Sequence, residues 1–154
     1  MTVTVDVPGR APFALERLLL DVNGTLTDRG SLIEGVAGRL EALKGRLEPT
    51  LVSADTFGTL DDIGRELAVA VRRVSAGADK LRLVESLGAT RTVVIGNGTN
   101  DAAALVAAAL GIAVLGPEGA SVEALRSADI VCRSAIEALD LLLDPRALGA
   151  TLRR

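Results

Sequence analysis

Hydrophobic and polar positions follow two rhythms along this chain, and the rhythms alternate. Near the start, "TVTVDV" has the period-two pattern of a strand, and "PGRAP" turns the chain after it. "LERLLLDV" is a second strand whose all-apolar centre predicts burial on both faces, and the pattern predicts a hairpin between these two strands. "TLTDRGSLIEGV" carries a polar turn at Asp28-Arg29-Gly30 and predicts a small flap. "GVAGRLEALKGRL" has helical spacing, "PTLVSAD" is a third buried strand, and "TFGTLDDIGREL" reads as a helix. "AVAVRRV" is a short strand, and "GADKLRLVESLGA" a helix that stops at Gly88. "RTVVIGN" is a fourth buried strand and "NDAAALVAAAL" the helix after it. "GIAVLG", "SVEALRSA", "DIVC" and "SAIEALDLLL" continue the alternation, and residues 144–154 read as a loose or docking tail.

Short apolar strands that alternate with helices predict an α/β domain with a mainly parallel central sheet. The chain of 154 residues fits one such domain over residues 1–154, with no repeat, linker or large insertion. In sheets of this kind ligands bind at the carboxyl ends of the strands. Asp21 and Asn23 fall at the end of the second strand, Ser53, Asp55 and Thr56 at the end of the third, and Asn97, Asn100 and Asp101 at the end of the fourth. Lys80 lies early enough on its helix to point to the same edge.

Composition narrows the chemistry. The chain has no histidine and one cysteine, Cys132. That removes imidazole acid–base chemistry and makes a structural zinc site implausible. Catalysis is left to carboxylates, hydroxyls, Lys or Arg, and to hard cations held by oxygen. The single cysteine excludes an intramolecular disulfide and fits the cytoplasm. A net charge of −3 gives no reason to expect nucleic acid or an anionic membrane as partner. No apolar run reaches the ~18 residues of a membrane span. Only 1% of residues are aromatic, so the core must be built from Val, Leu, Ile and Ala.

A carboxylate at a strand end, followed by Gly-Thr, can attack phosphorus. Phosphoryl transfer needs its oxygens neutralised, and a Mg2+ ion held by Asp21 and nearby oxygens would do so. Gly24, Thr25, Ser53 and Ala54 are placed to hold the phosphate, with Lys80 as the cation. The chain has only two lysines, Lys44 and Lys80, among 17 basic residues; a lysine in a chain that otherwise uses arginine points to a need for a compact ammonium. Asp55 and Thr56 read as caps of the following helix, and Cys132 as a small buried apolar residue.

These strand ends resemble the four motifs of the haloacid-dehalogenase (HAD) superfamily. D21-V-N-G-T-L-T looks like motif I, D-x-D-G-T-L-T; "LVSAD", with Ser53, is similar to motif II; Lys80 matches the motif III lysine; and "GNGTND" looks like motif IV, G-D-G-x-N-D. "GNGTNDAAAL" also resembles the hinge motif of P-type ATPases, and "VSADTFGT" the small soluble P-type-ATPase-like HAD proteins. The resemblance covers nearly the whole chain. It implies a Rossmann-like three-layer fold without a cap domain, a Mg2+ cofactor, an aspartyl-phosphate on Asp21, and a small phosphorylated substrate. Cap-less relatives often oligomerise to close their sites, which implies a homo-oligomer.

The sequence departs from the family pattern twice. Asn23 stands where phosphatases of the family carry the acid/base aspartate, and an amide cannot shuttle a proton. Asn97 stands where motif IV has a metal-binding aspartate, which leaves Asp101 as the main acidic partner of Asp21. The implied metal set is Asp21, Asn23, Asn97 and Asp101. The expectation is a slow phosphohydrolase or phosphotransferase that favours acyl or aryl phosphates. The alternative is a catalytically impaired domain that binds phosphate or a protein and regulates it. A receiver domain phosphorylated on aspartate is disfavoured, because receivers place an acidic pair on the first strand and the phosphorylated aspartate on the third.

Overall fold

A computed structural model describes the chain from Met1 to Arg154. An antiparallel ribbon of β1 (Val3–Val5) and β2 (Phe13–Leu15) comes first. After Glu16 the chain enters β3 (Arg17–Asp21), the strand on which the rest is organised. A small antiparallel flap follows, β4 (Thr27–Asp28) and β5 (Ser31–Leu32). Helix α1 (Val36–Leu43) leads to β6 (Glu48–Ser53), α2 (Leu60–Leu67) and β7 (Ala70–Arg73). Then come α3 (Gly77–Leu87), β8 (Thr92–Gly96), a 3-10 turn at Thr99–Asp101, and α4 (Ala102–Ala107). β9 (Leu110–Val114), α5 (Val122–Ser127), β10 (Ile130–Cys132), α6 (Ala135–Leu143) and α7 (Pro145–Thr151) complete the chain.

The central sheet has the order β10-β9-β8-β3-β6-β7, and every pair in it is parallel. The two-residue period of β3 divides its leucines between the layers. Leu18 and Leu20 enter a core of 29 buried residues with α1, α2, α6 and α7, whereas Leu19 enters a smaller core with α3, α4 and α5. A strand buried on both faces must be apolar throughout, and that is why β3 and β8 carry unbroken apolar runs. The three-layer Rossmann-like architecture expected from the sequence is therefore present, with the N-terminal hairpin and only the small flap between β3 and α1.

One pairing differs from the sequence reading. β1 pairs with β2, residues Phe13–Leu15, and not with the strand that ends in Asp21. Both edges of β3 are taken by β6 and β8, so no edge is left for an antiparallel partner. The helix expected to start near Thr56 begins instead at Leu60, because Thr56–Thr59 forms a loop with Gly58 at φ +68°. The segment from Asp144 forms α7, which docks on β1: Leu148 is fully buried, and a Cβ on Gly149 would stand 2.1 Å from the Asp6 carbonyl oxygen. Cys132 is buried in the larger core, and burial pushes its thiol up to about 11, with Glu137 adding to the effect. No helix is long and apolar enough to cross a membrane.

The winding of the chain decides where a site can form. From β3 it moves outward through β6 to β7, then returns across β3 to β8 and continues outward to β10. The loops after β3, β6 and β8 therefore diverge, and the crevice they leave is the switch point where open α/β sheets bind ligands.

Candidate active site

Asp21 is the last residue of β3 and its carboxylate is buried at the switch point. Lys80, in the first turns of α3, reaches it from the other layer: Nζ donates to Asp21 Oδ1 at 2.8 Å and to Asp101 Oδ1 at 2.5 Å. Two local features aim the lysine. Asp79 Oδ2 accepts the N–H groups of Ser75 and Ala76 and so fixes the start of α3. Gly77 lets that start press on the Thr99–Asp101 turn, since a Cβ there would stand 2.8 Å from the Asn100 carbonyl oxygen. Asn100 itself is exposed.

Asp101 is buried beneath the loop after β8. Its Oδ2 accepts the N–H groups of Asn97 (3.0 Å) and Gly98 (2.9 Å), while Oδ1 takes Lys80. Gly96 leaves room for this, because a Cβ at that position would lie 2.5 Å from Asp101 Cγ. Asp101 thus ties the motif loop, the lysine and the sheet edge together.

Two buried carboxylates share one buried ammonium. Burial raises the Asp21 carboxyl first, and the Asp101 charge adds to it; Lys80 and Thr25 offset only part, leaving Asp21 at about 6. Burial alone would lower the Lys80 ammonium, but the two carboxylates outweigh it and hold it above the ordinary lysine value.

The loop after Asp21 turns at Gly24, φ +74°. Thr25 is fully buried and donates to Asp21 Oδ2 at 2.8 Å. Asn23 is half-buried, with Nδ2 3.4 Å from Ser53 Oγ at the end of the neighbouring β6. Ser53 Oγ also accepts the Asp55 N–H at 2.9 Å, and Ala54 between them is exposed. Asp55 Oδ1 accepts the Leu60 N–H at 2.9 Å, a cap for α2, and its Oδ2 meets Arg73.

Asn97 has both ends of its amide engaged. Nδ2 donates to the Gly119 carbonyl at 2.9 Å, and Oδ1 lies 3.3 Å from the Thr25 hydroxyl. The Ser121 N–H bonds the Asn97 carbonyl at 2.8 Å. Sequence reasoning overlooked this 116–121 loop. It closes tightly on motif I: a Cβ on Gly116 would stand 2.4 Å from the Gly24 carbonyl oxygen, and one on Gly24 would stand 3.3 Å from Glu118 Cδ. The signal was available in "GPEG", a turn-rich stretch at the carboxyl end of β9.

The structure therefore gathers Asp21, Asn23, Thr25, Ser53, Lys80, Asn97 and Asp101 on one edge of the sheet. No group of three or more His, Cys, Asp or Glu residues stands ready to hold a metal. The donor set still suits Mg2+, which takes one or two carboxylates and keeps several waters. Anchored through Nδ2, Asn97 presents a fixed oxygen on the Thr25 side of Asp21.

No protein-family model matches the chain. It is 44% identical over 78 residues to the uncharacterized protein MJ0073 of Methanocaldococcus jannaschii, which is 48% of this chain and 84% of that one. It is 34% identical over 91 residues to the copper-transporting ATPase HMA5 of Oryza sativa, 56% of this chain and 9% of the transporter. Among solved structures, a HAD-family protein of Streptomyces avermitilis superposes with a TM-score of 0.70 at 19% identity, covering 87% of each chain. The 3-deoxy-D-manno-octulosonate 8-phosphate phosphatase of Moraxella catarrhalis, in complex with magnesium and phosphate ions and sugar, superposes with a TM-score of 0.69 at 19% identity, covering 88% of this chain and 90% of that one. The chain therefore shares the three-layer fold of these HAD-family phosphatase structures, and its Asp21, Ser53, Lys80 and Asp101 converge on one edge of that fold.

Proposed function

We propose that this protein is a Mg2+-dependent phosphohydrolase or phosphotransferase that works through an aspartyl-phosphate on Asp21. The observation that carries the reading is the buried Asp21 carboxylate at the switch point, bracketed by Lys80 and Thr25. Such a carboxylate, once ionised, is a positioned nucleophile toward phosphorus. Asp21, Asn23, Asn97 and Asp101 would hold the Mg2+, which neutralises phosphate charge when bound. Thr25, Ser53 and the backbone of the Gly24 and Ala54 loops would hold the phosphoryl oxygens, with the Lys80 charge behind them.

The reaction has two steps. An Asp21 oxygen forms a bond to phosphorus as the bond to the leaving oxygen breaks. Water or a second acceptor then takes the phosphoryl group and restores the carboxylate. Asn23 can donate a hydrogen bond to the leaving oxygen but has no proton to give. The leaving group must therefore depart as a stable anion, which favours acyl and aryl phosphates. Hydrolysis of the phosphoenzyme lacks a base at the same position and is slow, by roughly 10²–10⁴ relative to an aspartate there.

The test is phosphate release from acetyl phosphate and p-nitrophenyl phosphate, with and without Mg2+, for wild type and Asp21→Asn. The reading expects release that needs both the metal and Asp21. Release unchanged in Asp21→Asn would overturn it. The two amides favour a second reading, a domain that binds phosphate or a partner without turning over; it expects phosphate binding with no release.

A further inference from the structure

Phe57 is one of two phenylalanines in a chain without tyrosine, tryptophan or histidine. The other, Phe13, packs on the main core, and the Arg10 guanidinium lies 5.0 Å from its ring centroid. Phe57 has no such cover and is 46% exposed. It stands on the loop that leaves β6 at Ser53 and leans on the flap: a Cβ on Gly30 would lie 3.4 Å from both Cβ and Cγ of Phe57. The two loops it joins leave neighbouring strands, one ending in Asp21 and the other in Ser53.

The backbone on either side of this contact is held in an unfavourable shape. Three non-glycine residues have positive φ, and two of them, Arg29 (47°) and Asp55 (60°), lie in these two loops; the third, Ala68, closes α2. Left-handed backbone at such residues persists only where the surroundings impose it, and it collects at ligand sites. Here Asp55 is imposed on by its bonds to the Leu60 N–H and to Arg73. The loop that presents Phe57 is thus built rather than slack.

The ring also stands apart from the other exposed apolar residues. Val106, Val122 and Val131 lie on α4, α5 and β10, Leu115 follows β9, and Met1 lies beside Glu48 and Ala70 at the starts of β6 and β7, the end of those strands away from Ser53. β9 and β10 form one edge of the sheet, whereas β6 and β7 form the other. One isolated ring is far smaller than the roughly 800 Å² per partner of a stable protein interface. It matches the face of a single planar group.

We infer that Phe57, backed by Gly30 of the flap, is the platform for the leaving group of the phosphorylated substrate, and that this group presents a flat apolar face, as an aryl ring does. The inference rests on the reading of Asp21 as the phosphoryl acceptor. Phe57 is a specificity residue in this account; the reacting atoms lie at Asp21.

Two measurements test it, and they separate its failure from that of the phosphatase reading. In the first, equilibrium binding of phenylphosphonate and methylphosphonate is measured by calorimetry in the presence of Mg2+, for wild type, Phe57→Ala and Phe57→Tyr. The expected result is that phenylphosphonate binds wild type more tightly than methylphosphonate, that the preference falls about tenfold in Phe57→Ala, and that Phe57→Tyr restores it. In the second, the ratio of kcat/KM for p-nitrophenyl phosphate to that for acetyl phosphate falls by a similar factor in Phe57→Ala. Preference and ratio both unchanged in Phe57→Ala would overturn the platform, even with turnover intact. A Phe57-dependent preference without turnover in wild type would overturn the phosphatase reading and with it the leaving-group role, and would leave Phe57 only as a seat for the flat group of a bound phosphoryl ligand. Sedimentation showing a wild-type dimer and a Phe57→Ala monomer would also overturn the platform, because the ring would then be covered by a second copy.

Discussion

Lys80 Nζ lies 2.8 Å from Asp21 Oδ1, although one residue ends a central strand and the other stands on a helix 59 residues later. The same ammonium holds Asp101. This bridge is at once the electrostatic centre of the site and the link between the two windings of the sheet. Removing the lysine strands two buried carboxylates, and breaking a buried pair in this way costs about 3–5 kcal/mol. Lys80→Met is therefore expected to lower Tm markedly, as read by calorimetry in metal-free buffer. Added Mg2+ should recover part of the loss, because a cation at Asp21 replaces some of the missing charge. Tm within a degree or so of wild type would contradict the bridge.

Asp21 gives the metal-free protein an unusual pH dependence. Its folded-state value of about 6 lies above the ordinary 3.8, so the fold favours the protonated form. The sign follows directly: stability rises as pH falls through about 6 and reaches its full gain below the ordinary value. Asp61, Asp79 and Glu137 are shifted down, the first and last chiefly by arginine partners and Asp79 chiefly by the Ser75 N–H. Their contributions are lost only as pH falls below about 4. Tm in metal-free buffer should therefore rise from about pH 7 to about pH 5, and the rise should vanish in Asp21→Asn. Mg2+ binding should weaken over the same range, since the proton and the cation compete for one carboxylate.

Asn97 connects motif I to the 116–121 loop. An aspartate there could not donate to the Gly119 carbonyl, and would face it with a negative charge. Asn97→Asp should loosen that loop while it adds a charge for the metal. Hydrogen exchange at Gly119 and Ser121 is expected to speed up, and Mg2+ is expected to bind more tightly. Unchanged exchange at Ser121, whose N–H bonds the Asn97 carbonyl, would show that the loop does not depend on the amide.

Asn23→Asp should raise the rate of phosphate release by roughly 10²–10⁴, because it returns a proton carrier to the leaving oxygen. The gain should be larger for alkyl phosphates than for acyl phosphate, whose leaving group needs no proton. Stopped assays of released phosphate on both substrates measure the difference.

Much of this could be read from the sequence for a physical reason. β3 and β8 are buried on both faces, and β6 over its last three residues, so their apolar stretches end abruptly where polar chemistry begins. Asp21, Ser53 and Asn97 announce themselves at those ends. Lys80 was legible because a helix of known direction carries its early residues to the same edge. The hairpin partner was misread because pattern alone does not say which strand edges are already occupied, and β3 has none free. The role of the 116–121 loop was hidden for a similar reason. Its value comes from close approach to Gly24 and Asn97, contacts separated by about a hundred residues and about twenty, and no local pattern records them. Phe57 looked like part of a helix until Gly58 and Asp55 were seen to hold it outside.

The most direct test is intact-mass spectrometry after incubation with Mg2+ and acetyl phosphate, for wild type, Asp21→Asn and Asn23→Asp. The account predicts a phosphate adduct on wild type, none on Asp21→Asn, and a shorter-lived one on Asn23→Asp with faster phosphate release. An adduct that persists in Asp21→Asn, or no adduct and no release in any of the three, would contradict it.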